Sequence, residues 1–404
     1  MMYRKLILLQ IVLYSFAVSF AQNKELKVFL KDKNALLINK AKLKSGNENL
    51  IPAFKKLIKD ADQLLSKAPT SVMEKKQTPP SGDMHDYMSL AIYFWPDPSK
   101  PDGLPYIRKD GQINPEVDDY KDKSNMIWMS RDVEVLALAY YFSDDNKYAE
   151  KATQILQTWF LSPDTRMNPN LNFAQAVKGK NDGRGIGIIE SRILTSVVDA
   201  VGLIANSKSW NAKDQKGMEK WFNDFLQWLM TSKNGIEEFK AKNNHGVWYD
   251  EQKLSFALFT GNDEIALNTL NSLKSRLEMQ MDTTGFFPAE MERTISLHYM
   301  AFMLEPLFNV ANMAVSIKED FWNYTSTSGR SIKKTFEVMK PYLSKEKEWF
   351  GQQIKPFEFQ DNATPLLAQG FYKYNCEDCR EAINNILGEE KSKTSIYHLT
   401  TLID

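Results

Sequence analysis

The sequence predicts an all-α fold, an incomplete (α/α)n toroid or barrel of antiparallel helix pairs. Apolar residues recur with a 3.6-residue period in one segment after another, whereas period-2 strand patterns are scarce. The 404 residues are 43% apolar and include nine Trp, which is enough for a large core and excludes a disordered chain. Amphipathic helix pairs must bury their apolar faces against each other, and closing them into a toroid covers both ends. An open α-solenoid is the alternative, but no repeat of about 34 or 40 residues is present.

The predicted helices follow one another along the chain with short connections. The segment from Leu50 to Leu65 carries a continuous apolar stripe, and Ser130 is predicted as the N-cap of a helix whose buried face includes Val133 and Tyr140. Further periodic segments lie at about 148–160, 187–205, 221–229, 253–260, 264–280, 294–316, 330–342 and 380–388.

One region rich in proline and aromatic residues interrupts this pattern. Half of the 16 prolines lie between Pro69 and Pro115, and the stretch from Tyr93 to Gly111 combines aromatic residues with Pro and Gly. A loop this long inside a compact chain is usually functional or disordered, and its aromatic residues argue against disorder. We interpret it as an ordered lid or wall of a binding cleft. No convincing linker occurs elsewhere, so residues 22–404 are predicted to form a single domain.

The first 21 residues have the pattern of a cleaved secretory signal peptide. A basic pair, Arg4 and Lys5, precedes an apolar stretch at 6–18, and the small residues Ser19 and Ala21 stand at the −3 and −1 positions of a cleavage site. We therefore expect a periplasmic or secreted protein. No membrane anchor is expected, because no Cys lies near the cleavage point and no later apolar run approaches the roughly 18 residues of a membrane span.

Charge and cysteine content restrict the partners. The 51 Lys and Arg balance the 51 Asp and Glu, so the chain has no bulk field to attract nucleic acid, and a bound anion must be met by local cations. Cys376 and Cys379, with only four His in the chain, are too few for a zinc site. We predict a short-loop disulfide or two free thiols, and neither a metal nor a cofactor. The sequence carries no signal for an oligomeric state.

The first candidate motif runs from Asn243 to Tyr249. Two amides, Asn243 and Asn244, stand beside His245 and a glycine, just before a helical segment. Such a cluster can carry chemistry, but it can also simply cap the helix, and a single His is more often structural than catalytic. Both interpretations are open from these residues alone.

The second candidate motif runs from Glu290 to Tyr299. Arg293 and Tyr299 are six residues apart, about 240° around an ideal helix, so a shared face requires Arg293 to precede the helix and turn inward. The alternative is a surface Arg–Glu pair beside a buried Tyr.

A third motif, from Asn181 to Arg192, contains three glycines. Glycine here allows the backbone to approach a ligand, with Arg184 facing an anion. A simple turn before a helix is the alternative.

An Asn, a His, an Arg and a Tyr together suit β-elimination from a uronic-acid polysaccharide. The C5 proton of a uronate is weakly acidic, so donors must neutralise the neighbouring carboxylate and stabilise the charge that develops. A base must take this proton and an acid must protonate the O4 leaving group. In a syn elimination one Tyr can do both, if a nearby cation lowers its pKa.

The two motifs, together with Tyr93–Pro96 and Pro105–Gly111, resemble the alginate lyase family of α/α-toroid polysaccharide lyases over roughly residues 84–374. The resemblance implies that Tyr299 acts as base and acid, that Asn244 and Arg293 neutralise the carboxylate, and that His245 assists or supplies the base for the other epimer. The chain is most similar to the branch that cleaves glucuronan as well as mannuronan. This resemblance implies an anionic uronan as substrate, either mannuronate-rich alginate or glucuronan.

Side chains that stack on sugars or hold carboxylates and hydroxyls complete the predicted site. The candidates for substrate binding are Trp95, Arg108, Gln175, Arg184, Trp248, Tyr249 and His298. Two alternatives remain. A glycoside hydrolase would use two carboxyls flanking one bond, for which Glu190, Glu290 and Glu292 are available. A non-catalytic exported glycan-binding protein would show no turnover.

Overall fold

The computed structural model describes residues 25–402. Helices α1–α17 span, in order, Lys33–Lys44, Ile51–Leu64, Lys121–Ser143, Asn146–Leu156, Leu194–Ile204, Ala212–Thr231, Lys233–Phe239, Asn244–Phe259, Asp263–Gln280, Pro288–Met291, Ser296–Ala314, Ile332–Leu343, Phe359–Asn362, Thr364–Tyr374, Glu377–Leu387, Glu389–Lys393 and Tyr397–Thr400. Short 3₁₀ segments lie at Val72–Glu74, Pro115–Asp119, Gly185–Ile193 and Val315–Ile317, and a π-helical turn lies at Gln157–Leu161.

Local capping explains where the helix pairs turn. Helix α3 ends at Asp144, which adopts a left-handed conformation with φ of 58°. The next residue, Asp145, caps α4 by accepting a hydrogen bond from the backbone N–H of Lys147. Asn211 caps α6 in the same way, through the N–H groups of Lys213 and Asp214.

The helix pairs form the predicted α/α toroid. Helix α3 packs against α4 and α5, and α8 packs against α9 and α11. Every residue of α5 is buried, as expected for a helix that is apolar around its circumference. One continuous apolar core extends from Val28 to Leu399, which agrees with the all-α prediction.

The lid segment 93–111 contains two of the four short strands of residues 25–402. Strand β2 (Phe94–Trp95) pairs antiparallel with β3 (Ile107–Arg108), while β1 (Met88–Leu90) pairs parallel with β4 (Phe173–Ala176). A small apolar cluster of Ala91, Tyr106 and Val177 fixes the lid to the body of the protein. The 93–111 segment is therefore built on a short hairpin.

Several predicted helix boundaries are wrong. Ser130 is not an N-cap: α3 begins nine residues earlier, at Lys121, and Ser130 is fully buried within it. The four residues directly before Ser130, Met126–Met129, are all apolar and show no 3.6-residue period, so the helical pattern is apparent only after Ser130. The segment predicted at 187–205 is 3₁₀ helix up to Ile193 and α-helix only from Leu194.

The membrane and cysteine expectations have different outcomes. The signal peptide at 1–21 lies outside the described residues. Within residues 25–402, one helical segment at 296–317 is long and apolar enough to span a membrane, so the expectation that no such run exists was wrong. Of its apolar window, 61% is buried inside the protein, because most of this segment is the core helix α11.

Cys376 and Cys379 form a disulfide, one of the two predicted states.

Candidate active site

Arg293 and Tyr299 are in direct contact at the start of α11. Helix α10 ends at Met291 and α11 begins at Ser296, so Arg293 lies in the intervening turn. Its Nη2 donates to the phenol oxygen of Tyr299 at 2.6 Å, and its guanidinium carbon lies 3.6 Å from the centre of the Tyr299 ring. The inward turn of Arg293 that the sequence required is present.

The lid supplies a carboxylate that holds Arg293. Nη2 and Nε of Arg293 donate to the two oxygens of Asp110 at 2.7 and 3.2 Å, and the Thr294 hydroxyl donates to the same group. Burial disfavours the charged form of Asp110, but the hydrogen bond and charge of Arg293 outweigh it and lower the pKa of Asp110. Arg108 also pairs with Asp110, at 2.6 Å, from its exposed position on β3.

The Tyr299 hydroxyl has a second neighbour besides Arg293, the hydroxyl of another tyrosine. The hydroxyl of Tyr93, from the lid, lies 3.1 Å from that of Tyr299. Burial, and then the charge of Tyr93, raise the pKa of Tyr299, and the opposing effect of Arg293 is smaller. The expectation that a nearby cation lowers this pKa is therefore only partly met: Arg293 acts in that direction, but the net pKa is raised.

Asn244 is held by a buried carboxylate from the second motif. It is the first residue of α8, and both its backbone N–H and its side-chain amide donate to Glu290, at 2.7 and 2.8 Å. Burial raises the pKa of Glu290, against these two hydrogen bonds. Asn244 is fully buried, and its side-chain oxygen has no hydrogen-bond partner in the described part of the chain.

His245 has a different buried carboxylate. Its Nδ1 lies 2.7 Å from Oε1 of Glu238, which is 1% exposed, while the His side chain is 16% exposed. A carboxylate at this position accepts the Nδ1–H and leaves Nε2 as the nitrogen available to a ligand. Both members of the Asn-His pair are thus oriented by acids from other elements.

A glycine and an arginine fix the turn that precedes α8. A Cβ on Gly246 would lie 2.2 Å from the carbonyl oxygen of Ala241 and 2.4 Å from Arg276, so only glycine fits. Arg276 donates to the carbonyl oxygens of Ala241 and Phe239 and forms an ion pair with Asp250. This network sets the position of the Asn-His pair.

The predicted binding residues near the lid form one group. Arg184 donates to the side-chain oxygen of Gln175 at 2.9 Å and to its backbone oxygen at 3.1 Å, and stacks over Phe94 at 4.9 Å. Gln175 is buried, so it positions Arg184. Trp95 is half-buried and donates to the carbonyl oxygen of Gln112.

The residues around α8 and α11 differ in accessibility. His298 is half-buried with its ring 5.4 Å from that of Tyr299, and burial together with Arg192 and Arg293 lowers its pKa. Trp248 and Tyr249 are each 2% exposed, and the Tyr249 hydroxyl donates to a backbone carbonyl. Tyr249 belongs to the main apolar core, whereas Trp248 packs against Phe302 and Arg192.

The sequence analysis did not predict which residues orient Asn244, His245, Arg293 and Tyr299. The structure assigns this role to Tyr93, Asp110, Glu238 and Glu290. Only Glu290 carries a local signal, three residues before Arg293. Two of the three carboxyls named for a hydrolase are held by other groups: Glu290 binds Asn244, and Glu190 accepts hydrogen bonds from Tyr87 and Ser89, while Glu292 is exposed. Among residues 25–402, no group of three or more His, Cys, Asp or Glu could hold a metal ion.

Comparisons with known proteins assign the family. The alginate lyase family profile matches residues 71–350. The crystal structure of an alginate lyase from Bacteroides ovatus is similar, with 39% identity and a TM-score of 0.87, over 93% of this chain and 99% of that one. A comparison with curated proteins finds no match.

Two structures of a more distant enzyme share the fold. Alginate lyase A1-III from Sphingomonas species A1 has 17% identity and a TM-score of 0.58, over 92% of this chain and 97% of that one. A histidine-to-alanine variant of that enzyme, complexed with a tetrasaccharide, has 17% identity and a TM-score of 0.57, over 94% and 98%. The profile match and the Bacteroides ovatus structure show that this chain belongs to the alginate lyase family and is a polysaccharide lyase.

Proposed function

We propose that this protein cleaves 1,4-linked uronic-acid polymers, mannuronate-rich alginate or glucuronan, by metal-independent β-elimination. The observation that carries the proposal is the contact between Arg293 and the Tyr299 phenol at 2.6 Å, beside the lid. It places a fixed positive charge against the group that would move the proton. The tetrasaccharide complex of the Sphingomonas enzyme supports a carbohydrate ligand.

In this mechanism Tyr299 takes the C5 proton of the sugar, and the electrons of that C–H bond form the C4–C5 double bond. The bond from C4 to the bridging oxygen breaks, and that oxygen receives a proton from the Tyr299 phenol. Since the pKa of Tyr299 is raised in the free protein, the phenolate forms only with help from Arg293. The raised pKa makes the phenolate, once formed, a strong base for the C5 proton, and the phenol that this proton regenerates is then the acid beside the leaving oxygen.

Arg293 is assigned to the carboxylate of the sugar, and His245, which donates its Nδ1–H to Glu238, keeps Nε2 as a proton acceptor that assists Tyr299 or serves as the base for the other epimer. Arg293 keeps Nη1 free of the Asp110 and Tyr299 contacts, and Nε2 of His245 faces away from Glu238. Asn244 is fully buried and gives one amide hydrogen to Glu290, and its second amide hydrogen is assigned to the carboxylate. Preorganised donors of this kind stabilise the charge that develops in the transition state.

Purified protein incubated with polymannuronate, polyguluronate and glucuronan tests the proposal through the ultraviolet absorbance of the new double bond. We expect product from polymannuronate or glucuronan. Tyr299→Phe and Arg293→Ala should each lower kcat by at least about 10²-fold, the usual scale for losing an acid–base or charge-stabilising group. Near wild-type turnover in either variant would refute the assigned roles.

We also propose that the protein is exported to the periplasm or secreted. The N-terminal pattern supports this, as does the Cys376–Cys379 disulfide, since disulfides persist in oxidising compartments. Cell fractionation with N-terminal sequencing of the product tests the proposal. A cytosolic protein that retains residues 1–21 would contradict it.

A further inference from the structure

Arg192 lies on an aromatic shelf beside the catalytic tyrosine. It is half-buried in the 3₁₀ segment Gly185–Ile193. Its guanidinium carbon lies 5.2 Å from the ring centre of Phe302 and 5.5 Å from that of Trp248, and these two rings contact each other at 5.0 Å. Aromatic faces hold a guanidinium flat without using its N–H donors.

The shelf continues directly to Tyr299. The His298 ring stacks on Phe302 at 5.8 Å with an angle of 11° between the planes, and contacts the Tyr299 ring edge-on at 5.4 Å. His298 thus lies between two guanidinium groups, that of Arg293 on Tyr299 and that of Arg192 on Phe302. Two rings, those of His298 and Phe302, therefore separate Arg192 from Tyr299.

The hydrogen-bonding capacity of Arg192 is mostly unused. Its one hydrogen bond in the described part of the chain runs from Nη1 to the carbonyl oxygen of Ile189 at 3.2 Å, and no ion pair is formed with a described carboxylate. Arg293 differs, because Asp110 already compensates its charge. Burial lowers the pKa of Arg192, and the more distant carboxylates of Glu305, Glu190 and Glu251 offset this only in part. A half-buried guanidinium that keeps free N–H donors is expected of a group that binds an anion.

We infer that Arg192 binds a carboxylate of the substrate at a subsite next to the sugar that is cleaved. The inference rests on the proposed function and extends it, because every sugar of a uronan carries a carboxylate and the polymer therefore needs a series of cations. The planar fork of Arg192 matches a carboxylate through two parallel hydrogen bonds. Phe302 and His298 offer a surface to the sugar ring between the two carboxylates.

The test measures binding separately from catalysis, in the Tyr299→Phe background. The probe is a saturated hexasaccharide prepared from whichever uronan the wild type cleaves, and calorimetry gives Kd. Arg192→Gln should weaken binding roughly ten- to hundredfold, the scale of a charge-assisted hydrogen bond. Arg192→Lys should recover part of the loss, and Arg166→Gln, which removes an exposed arginine, should change Kd less than about twofold.

A carboxyl-reduced hexasaccharide separates charge recognition from a structural role. For this neutral probe, Arg192→Gln should cost less than about twofold, since the missing carboxylate was its partner. An unchanged Kd for the uronate, or an equal loss for both probes, would overturn the inference. If Arg192→Gln does not fold, Arg192→Lys must still weaken uronate binding more than neutral binding. Absence of unsaturated product from the wild type would instead refute the proposed function.

Discussion

The contact between the lid and Arg293 has consequences for catalysis that can be measured. Asp110→Asn keeps the size of the side chain but removes its charge and one of the two acceptors for Arg293. The pair is partly buried, with Arg293 16% and Asp110 21% exposed, so solvent screens it only in part. Hydrogen bonds to charged groups contribute about 1.5–3 kcal/mol, and with one acceptor retained we expect a loss of about 1–2 kcal/mol.

If Asp110 orients Arg293 against Tyr299, the lost interaction free energy raises the activation barrier by the same amount. A loss of about 1–2 kcal/mol corresponds to a decrease in kcat of roughly 5- to 30-fold. Initial rates of double-bond formation on the preferred polymer measure it. The matched control is Asp97→Asn, a lid carboxylate that hydrogen-bonds within its own turn, to Ser99. A kcat for Asp110→Asn within twofold of the control would refute the orienting role.

The same variant has a pH signature. The pKa of Asp110 is lowered in the folded protein, so its stabilisation is complete above the unfolded pKa and is lost as the pH falls through the folded value. Asp110→Asn should therefore lower Tm at pH 7, and the difference from the wild type should shrink as the pH falls below the ordinary Asp pKa of about 3.9. A difference in Tm that persists unchanged in acid would show that the carboxylate charge is not its source.

Two further predictions concern His245 and metal ions. Glu238→Gln removes the negative partner of His245 Nδ1 and should lower kcat roughly tenfold or more, with Glu237→Gln as the neighbouring control; equal rates for the two would contradict an orienting role. EDTA should leave activity intact, because Arg293 supplies the positive charge and, with Asn244, the donors that the carboxylate requires; complete loss, restored by a divalent ion, would overturn metal independence.

The helices were predictable because their signal is local. Apolar periodicity located α2 within a residue at each end, because apolar residues of the buried face recur in every turn of the helix. The segment Thr364–Tyr374 was missed, although it is a full helix in the structure. Its apolar residues include Leu366, Leu367 and Phe371, but Pro365 and Gly370 weaken the helical pattern.

The orienting contacts of the site were not predictable, because they join distant parts of the chain. Asp110 and Arg293 are 183 residues apart, and Asn244 and Glu290 are 46 apart. A single sequence gives the residue types that a reaction needs but not which carboxylate faces which donor. The raised pKa of Tyr299 was missed for the same reason, since it depends on burial and on Tyr93, which approaches from the lid.

The residues of the site fall into two groups, those that are bound to a carboxylate of the protein and those that are not. Asp110, Glu290 and Glu238 hold Arg293, Asn244 and His245, respectively. A cation that is already paired exerts little attraction on a distant anion, so Arg293 contributes mainly once the sugar is in place. Arg184 and Arg192, which have no ion pair with a described carboxylate, are among the groups left to attract the polymer. Substitutions at these two arginines should therefore act mainly on KM, and substitutions at the paired residues mainly on kcat.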